Sequence, residues 1–166
     1  MKSCVFPGSF DPISSGHLNI IIRASKIFDK VYVLVSFNSS KNYIFDTIER
    51  VELVKKCVKN LDNVEVSIFD GTVVEFARKV NSKVILRGLR NPNDYQNELE
   101  IYNFNNSIDS SIETILMFAD KQNLFTSSTV IKELVNYDCD LSKFVPLEII
   151  EDVYRKIKYG KKKEYI

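Results

Sequence analysis

Apolar positions along this chain alternate between near-continuous runs and stripes spaced three and four residues apart. The runs "SCVF" (3–6), "KVYVLVSF" (30–37), "NVEVSIF" (63–69), "KVILRG" (83–88) and "ETILMFA" (113–119) read as strands. A run as continuous as 30–37 suits a strand covered on both faces. Between the runs the helical period takes over. "HLNIIIRASKIFD" sets Leu18, Ile21, Ala24 and Phe28 on one stripe, and "DTIERVELVKKCVKNL" does the same with Val51, Val54, Val58 and Leu61. Asp46 opens that second helix as an N-cap, with Glu49 three residues on to close a capping box.

Further helices are expected over "TVVEFARKV" (72–80), "DYQNELEIYNFNNSI" (94–108) and "SSTVIKELVNY" (127–137), the last with Val130, Ile131, Leu134 and Val135 on one side. A C-terminal helix is expected over about 146–159, with Pro146 near its first turn and Ile150, Val153, Tyr154 and Ile157 inward. Residues 160–166 read as a polar, solvated tail. Strand–helix alternation over the whole length predicts an α/β fold: one domain over 1–166, a Rossmann-like doubly wound sheet of about five parallel strands with flanking helices. In such sheets ligands bind at the carboxyl ends of the strands, where the strand order reverses. Chemistry is therefore to be sought in the loops that follow strands.

Composition narrows the partners. With 166 residues the chain can bury a core without disulfides or metals, and its formal net charge of +1 offers no global attraction to nucleic acid or an anionic membrane. Neither is expected as a partner, and any anion site must be local. No run approaches a membrane span, and the short apolar stretch before Pro7 is no signal peptide. The three cysteines, Cys4, Cys57 and Cys139, lie far apart in no ligand spacing, which predicts reduced thiols and a cytoplasmic location.

The strand-end loops share one chemistry. "PGSFDPISSGH" (7–17), "NSSKNYIF" (38–45), "RGLRNPNDY" (87–95) and "DKQNLFTSST" (120–129) together carry the chain's only histidine, His17, with Lys41, Arg87, Arg90 and a cluster of hydroxyls. Helices starting near Gly16 and Ser127 would add backbone N–H groups for an anion. Polyphosphate fits this set, because phosphoryl and nucleotidyl transfer need charge neutralisation and alignment more than covalent chemistry. Each residue also has a plain structural reading. His17 could be a turn residue and Lys41 a solvated one. The arginines could pair with Asp94 or Glu98, and "SSTV" could be only a helix N-cap. The joint appearance at successive strand ends favours the anion site. No paired His or Cys suggests a metal cage.

"GSFDPISSGH" resembles the N-terminal signature of the nucleotidyltransferase superfamily, whose mark is Ser/Thr-x-Gly-His, here Ser14-Ser15-Gly16-His17. "ILRGLRNPNDYQNELE" and "FTSSTVIKEL" are similar to one family in particular, the bacterial phosphopantetheine adenylyltransferases, over essentially the full length. The resemblance implies direct in-line attack of the 4′-phosphopantetheine phosphate on the α-phosphorus of ATP, with Mg²⁺ assisting. The products would be dephospho-coenzyme A and pyrophosphate, and the assembly a homohexamer. It implies Ser9 near the reacting centre, Phe10 offering its N–H to the nucleotide, and His17 stabilising the transition state. Lys41 and Arg87 would hold the phosphopantetheine phosphate, and Val73 would meet the pantetheine arm. Gly88, Leu89, Arg90 and Glu98 would line the ATP site, with His17, Lys41 and Arg90 as its catalytic groups. Asn123, Leu124, Phe125, Thr126, Ser127, Ser128 and Thr129 would form a second nucleotide loop. In this reading Pro7 and Gly8 turn the chain off its first strand, and Gly16 admits close backbone approach.

Two other readings remain open at the level of sequence. One is a sister nucleotidyltransferase with a nicotinamide mononucleotide or glycerol phosphate acceptor, disfavoured by "RGLR" with Glu98 downstream. The other is an ATP-binding sensor without turnover, disfavoured by the joint presence of His17, Lys41, Arg87 and Arg90. A tRNA-charging fragment is poorer still, since near-neutral charge offers no tRNA footprint.

Overall fold

The computed structural model describes residues 2–37, 42–90, 92–120 and 126–160. Five strands, β1 (Ser3–Gly8), β2 (Lys30–Val35), β3 (Val64–Ile68), β4 (Val84–Leu89) and β5 (Glu113–Phe118), form one parallel sheet in the order β3-β2-β1-β4-β5. The helices are α1 (Ser15–Ser25), α2 (Thr47–Val58), α3 (Val73–Lys79), α4 (Pro92–Ile108), α5 (Ser128–Asn136) and α6 (Ile150–Tyr159). The strand order reverses between β1 and β4, so the crevice expected of a doubly wound sheet opens at their carboxyl ends.

Period-two alternation along the strands divides the core into two layers. Cys4, Phe6, Val31, Val33, Val35 and Leu86 pack with Ile20, Ile21 and Ala24 of α1, Val54 and Val58 of α2, Ile131 and Val135 of α5, and Val153 and Ile157 of α6. Their neighbours Val5, Leu34 and Ile85 pack with Val74, Phe76 and Ala77 of α3 on the opposite face. The expected doubly wound α/β architecture is what the chain forms. Burial pushes both the Cys4 and Cys57 thiols up to about 12, so neither is a thiolate at neutral pH.

Several boundaries differ from the sequence-based expectation. Phe28 and Leu61 lie past the ends of α1 and α2 and pack against the core from the turns that follow. The C-terminal segment opens with a 3-10 turn (Leu147–Ile149), and α6 begins at Ile150. Pro7 and Gly8 do not turn the chain off the strand: they pair with Leu34 and Val35, and β1 runs through them. The turn comes later, at Phe10 with φ 47° and at a cis Asp11–Pro12 bond. Proline has no N–H for a ladder, and the pairing of β1 with β4 is registered only at Val5↔Ile85, before Pro7 is reached. The Pro7 carbonyl is taken instead by Arg87 Nη1 at 3.1 Å.

Two loop residues have a purely local explanation. Gly71 has φ 151°, and a Cβ there would stand 2.6 Å from the Phe69 ring. Thr72 N-caps α3 in a capping box with Glu75. The Gly71-Thr72 pair is thus set by the β3–α3 turn.

Candidate active site

The site is built outward from the end of β1. Gly8 is held to glycine by its neighbour: an added Cβ would come within 2.7 Å of the Phe10 ring. That ring is buried, edge-on to Phe6 at 5.8 Å and to His17 at 5.2 Å between centroids. Gly8→Ala is therefore expected to displace Phe10 and destabilise the fold by about 1–3 kcal/mol, as overpacking does. Urea unfolding checks it, and an unchanged midpoint would remove the contact from the account.

The Asp11 carboxylate, buried beside this ring, accepts from the Ile44 and Phe45 N–H groups at 3.1 and 2.9 Å and from Lys132 Nζ at 2.9 Å. One side chain thus ties the β1 loop to the segment before α2 and to α5. Ser128 Oγ donates to the Pro12 carbonyl at 3.1 Å, drawing the N-terminus of α5 to the same loop.

His17 occupies the third position of α1, where a capping box normally carries Glu or Gln. Ser14 is the N-cap: its Oγ accepts from the His17 N–H at 3.3 Å, and its own N–H donates to His17 Nδ1 at 3.1 Å. An Nδ1 that accepts leaves the proton of a neutral imidazole on Nε2, so the ring presents a donor on its far side. Burial, then Arg90, then Arg87 depress the His17 pKa from 6.5 to about 4. The ring is only half-buried by surface area, but the two guanidiniums that press on it carry the same sign of effect. His17, Arg87 and Arg90 therefore converge from α1 and the end of β4.

That depression has a signed consequence. The unfolded histidine takes up a proton near 6.5 while the folded one resists until about 4, so His17 subtracts stability as pH falls through that window and none above it. Imidazole NMR should return a pKa well below 6.5 in the ligand-free protein, rising when a phosphate anion binds. A value near 6.5 would mean that the ring is solvated.

The arginines of "RGLR" are paired, as their plain reading allowed, yet not used up. Arg87 Nε and Nη2 donate to the two oxygens of Glu98 at 2.6 and 2.7 Å, and Nη1 to Pro7 O. A guanidinium has five N–H groups, so about two of those of Arg87 remain for a ligand. Arg90 Nε and Nη2 reach Asp94 at 3.2 and 3.3 Å, which leaves Nη1. The carboxylates hold the forks in orientation, which is what bidentate recognition of phosphate requires. Gly88 between them admits α1: a Cβ there would meet Ile20 Cδ1 at 2.4 Å. Leu89 is buried and its carbonyl bonds the Ala119 N–H at 2.8 Å.

The other expected residues fall less uniformly. Ser9 follows β1 at the crevice, half-buried. Val73 starts α3 and packs into the core layer on the face of the sheet opposite α1. Thr126 is buried, Ser127 N-caps α5 through the Val130 N–H, and Thr129 is exposed in its first turn. Lys41, Asn123, Leu124 and Phe125 lie outside the described residues. A cavity of about 520 Å³ between α2 and α6, lined by Phe45, Ile48 and Leu53 among others, includes none of the expected site residues.

Sequence reasoning missed three contributors. Asp11 was legible only as part of a turn, Lys132 as a surface residue of α5. Arg50, on the α2 stripe between apolar positions, is 1% exposed and holds the Ser9 carbonyl at 2.7 Å.

A family described as cytidylyltransferase-like matches residues 5–134. Phosphopantetheine adenylyltransferase from Clostridium beijerinckii is 41% identical over 157 residues, 95% of this chain and 99% of that protein. The enzyme of the same name from Lachnoclostridium phytofermentans is 42% identical over 164 residues, 99% of this chain and 100% of its own length. Among solved structures, a Vibrio parahaemolyticus protein assigned as a nicotinate-nucleotide adenylyltransferase superposes with TM-score 0.69 at 22% identity, over 92% of this chain and 99% of that one. This last likeness bears on the fold alone. The chain belongs to the cytidylyltransferase-like nucleotidyltransferases and, within them, to the phosphopantetheine adenylyltransferase family.

Proposed function

We propose that this chain transfers the adenylyl group of ATP to 4′-phosphopantetheine, forming dephospho-coenzyme A and releasing pyrophosphate. The observation that carries the reading is the convergence of a neutral His17 with two carboxylate-oriented arginines where the strand order reverses. An oxygen of the phosphopantetheine phosphate attacks the α-phosphorus, a new P–O bond forms, and the bond to the leaving pyrophosphate breaks in line. No group on the protein is covalently modified.

The chain's own task is alignment and charge stabilisation. His17 Nε2–H donates to an α-phosphate oxygen as negative charge develops there. Being neutral, it does so throughout the physiological pH range. Arg90 steadies the nucleotide phosphates through Nη1, with Gly88, Leu89 and Glu98 around it. Arg87 uses its two remaining N–H groups, with Lys41, on the acceptor phosphate. Ser9 and the Phe10 N–H meet phosphate at the end of β1. Val73 meets the pantetheine arm, and residues 123–129 form the second nucleotide loop. Among the described residues no three His, Cys, Asp or Glu side chains gather as a metal cage. Magnesium keeps waters and favours phosphate oxygens, so Mg²⁺ would arrive on ATP, where it neutralises phosphate charge.

The proposed assembly is a homohexamer, and the exposed Phe104 of α4 and Phe118 of the edge strand β5 offer apolar surface to other copies. Sedimentation would read the stoichiometry. A cytoplasmic location is proposed from the free thiols Cys4, Cys57 and Cys139. Among the described residues no helix is long and apolar enough to cross a membrane.

The test is pyrophosphate release from ATP and Mg²⁺ with 4′-phosphopantetheine, against nicotinamide mononucleotide and no acceptor. Release with phosphopantetheine alone, with dephospho-coenzyme A in the product, supports the reading. Release only with nicotinamide mononucleotide moves the acceptor, and ATP binding without release under any condition leaves a sensor.

A further inference from the structure

Arg50 is the largest fully buried side chain, and its charge has no carboxylate partner among the described residues. Its Nη1 donates to two strand-end carbonyls, Ser9 O at 2.7 Å and Ser36 O at 2.8 Å. Nη2 donates to Thr47 Oγ1 at 3.1 Å, and the guanidinium carbon lies 4.1 Å from the Tyr43 ring centroid. Nε is buried with no hydrogen-bond partner among the described residues. Burying a cation in this way costs several kcal/mol unless something offsets it. Neutral carbonyls and an aromatic face offset part of that, and an anion at the adjoining strand ends would offset more.

The contact with Ser9 has a directional effect. A trans peptide is planar, with its C=O and N–H pointing opposite ways. Holding the Ser9 carbonyl inward on Arg50 therefore turns the N–H of the same peptide, that of Phe10, outward from α2. Phe10 sits at φ 47°, a backbone region an L side chain seldom adopts, so this peptide needs an outside constraint to keep its orientation. The Phe10 N–H makes no hydrogen bond within the described residues. A donor fixed in place and left without a partner is suited to a ligand oxygen.

We propose that Arg50 is a positioning residue: its fork on Ser9 O aims the Phe10 N–H at nucleotide phosphate, and phosphate supplies the counter-charge that Arg50 lacks in the fold. The inference rests on the nucleotide site of the proposed function but not on the identity of the acceptor. Arg50 itself touches no reacting atom.

The experiment compares wild type, Arg50→Lys and Ile112→Ala, a buried position at the amino end of β5 in the other core layer, by amide NMR and by turnover. Lysine keeps the charge but cannot reproduce the planar fork. In wild type the Phe10 amide resonance is expected to shift when ATP is added. In Arg50→Lys that shift should fall below about half, and kcat by about 10–100-fold, as for a misplaced donor. Ile112→Ala, which loses stability in the core layer that holds neither Phe10 nor Ile13, should keep both. The proposal is overturned by an unchanged Phe10 shift and turnover in Arg50→Lys, or by equal losses in Ile112→Ala. Should Arg50→Lys not fold, Thr47→Val serves: it removes the Nη2 partner, and a Phe10 response identical to wild type would equally overturn the idea. Wild type that shows the Phe10 shift but turns over no phosphopantetheine would sink the acceptor assignment while leaving the role of Arg50 standing.

Discussion

Replacing His17 with alanine is expected to lower kcat by about 10²–10³-fold while leaving the affinity for ATP within a few-fold of wild type, as befits loss of one donor that acts in the transition state. Two properties of the fold make this the largest catalytic effect. The Ser14 N–H fixes the ring through Nδ1 and leaves Nε2 as the donor. Burial and the two arginines keep it neutral, so its donor strength does not change across the physiological pH range. The substitution also strips the side-chain half of the capping box on α1, at a cost of about 1 kcal/mol in stability. Steady-state kinetics and calorimetric ATP binding separate these effects. A kcat equal to wild type would reduce His17 to its capping role.

Arg87→Ala should produce the largest combined loss of stability and function. Its partner Glu98 is buried and receives both of its strong hydrogen bonds from this one guanidinium. Removing one member of such a pair leaves an uncompensated charge, and the expected cost is about 3–5 kcal/mol. The KM for phosphopantetheine should rise at least about tenfold as well, since the two remaining N–H groups of Arg87 go with it. Arg87→Ala combined with Glu98→Gln should recover much of the stability and none of the acceptor affinity. That divergence discriminates a ligand-binding arginine from a structural one. If the double substitution restored the KM together with the stability, Arg87 would be serving the fold alone.

The pairing of Arg87 also bears on how such a residue is read in a sequence. "RGLR" followed by Asp94 and Glu98 allowed two accounts, ion pairs within the fold or phosphate ligands. The geometry makes them compatible, because each carboxylate takes only part of a five-donor fork and orients what is left. Ser127 and Ser128 have structural partners as well: the Ser127 hydroxyl accepts from the Val130 N–H and the Ser128 hydroxyl donates to the Pro12 carbonyl. The Ser127 O–H, the backbone N–H groups and Thr129 are then what that helix can offer a ligand.

The five strands, the helices between them, the capping box at Asp46 and the clustering of cationic residues in strand-end loops were all legible in the sequence. These are local properties: side-chain periodicity and the N-cap chemistry of a few consecutive residues decide them, whatever lies across the fold. Its resemblance to known signatures carried the family as well. Contacts between distant segments were decided only by the tertiary structure. Pro7 and Gly8 remain in β1 because β2 pairs with them, although both residue types locally favour a turn. Asp11 meets Lys132 across 121 positions of chain. Arg50 looks like one more charge on an amphipathic helix, yet α2 lays it against the ends of β1 and β2. There two backbone carbonyls left by the strand ends accept its N–H groups, and no pattern of hydrophobic spacing records where those carbonyls will stand.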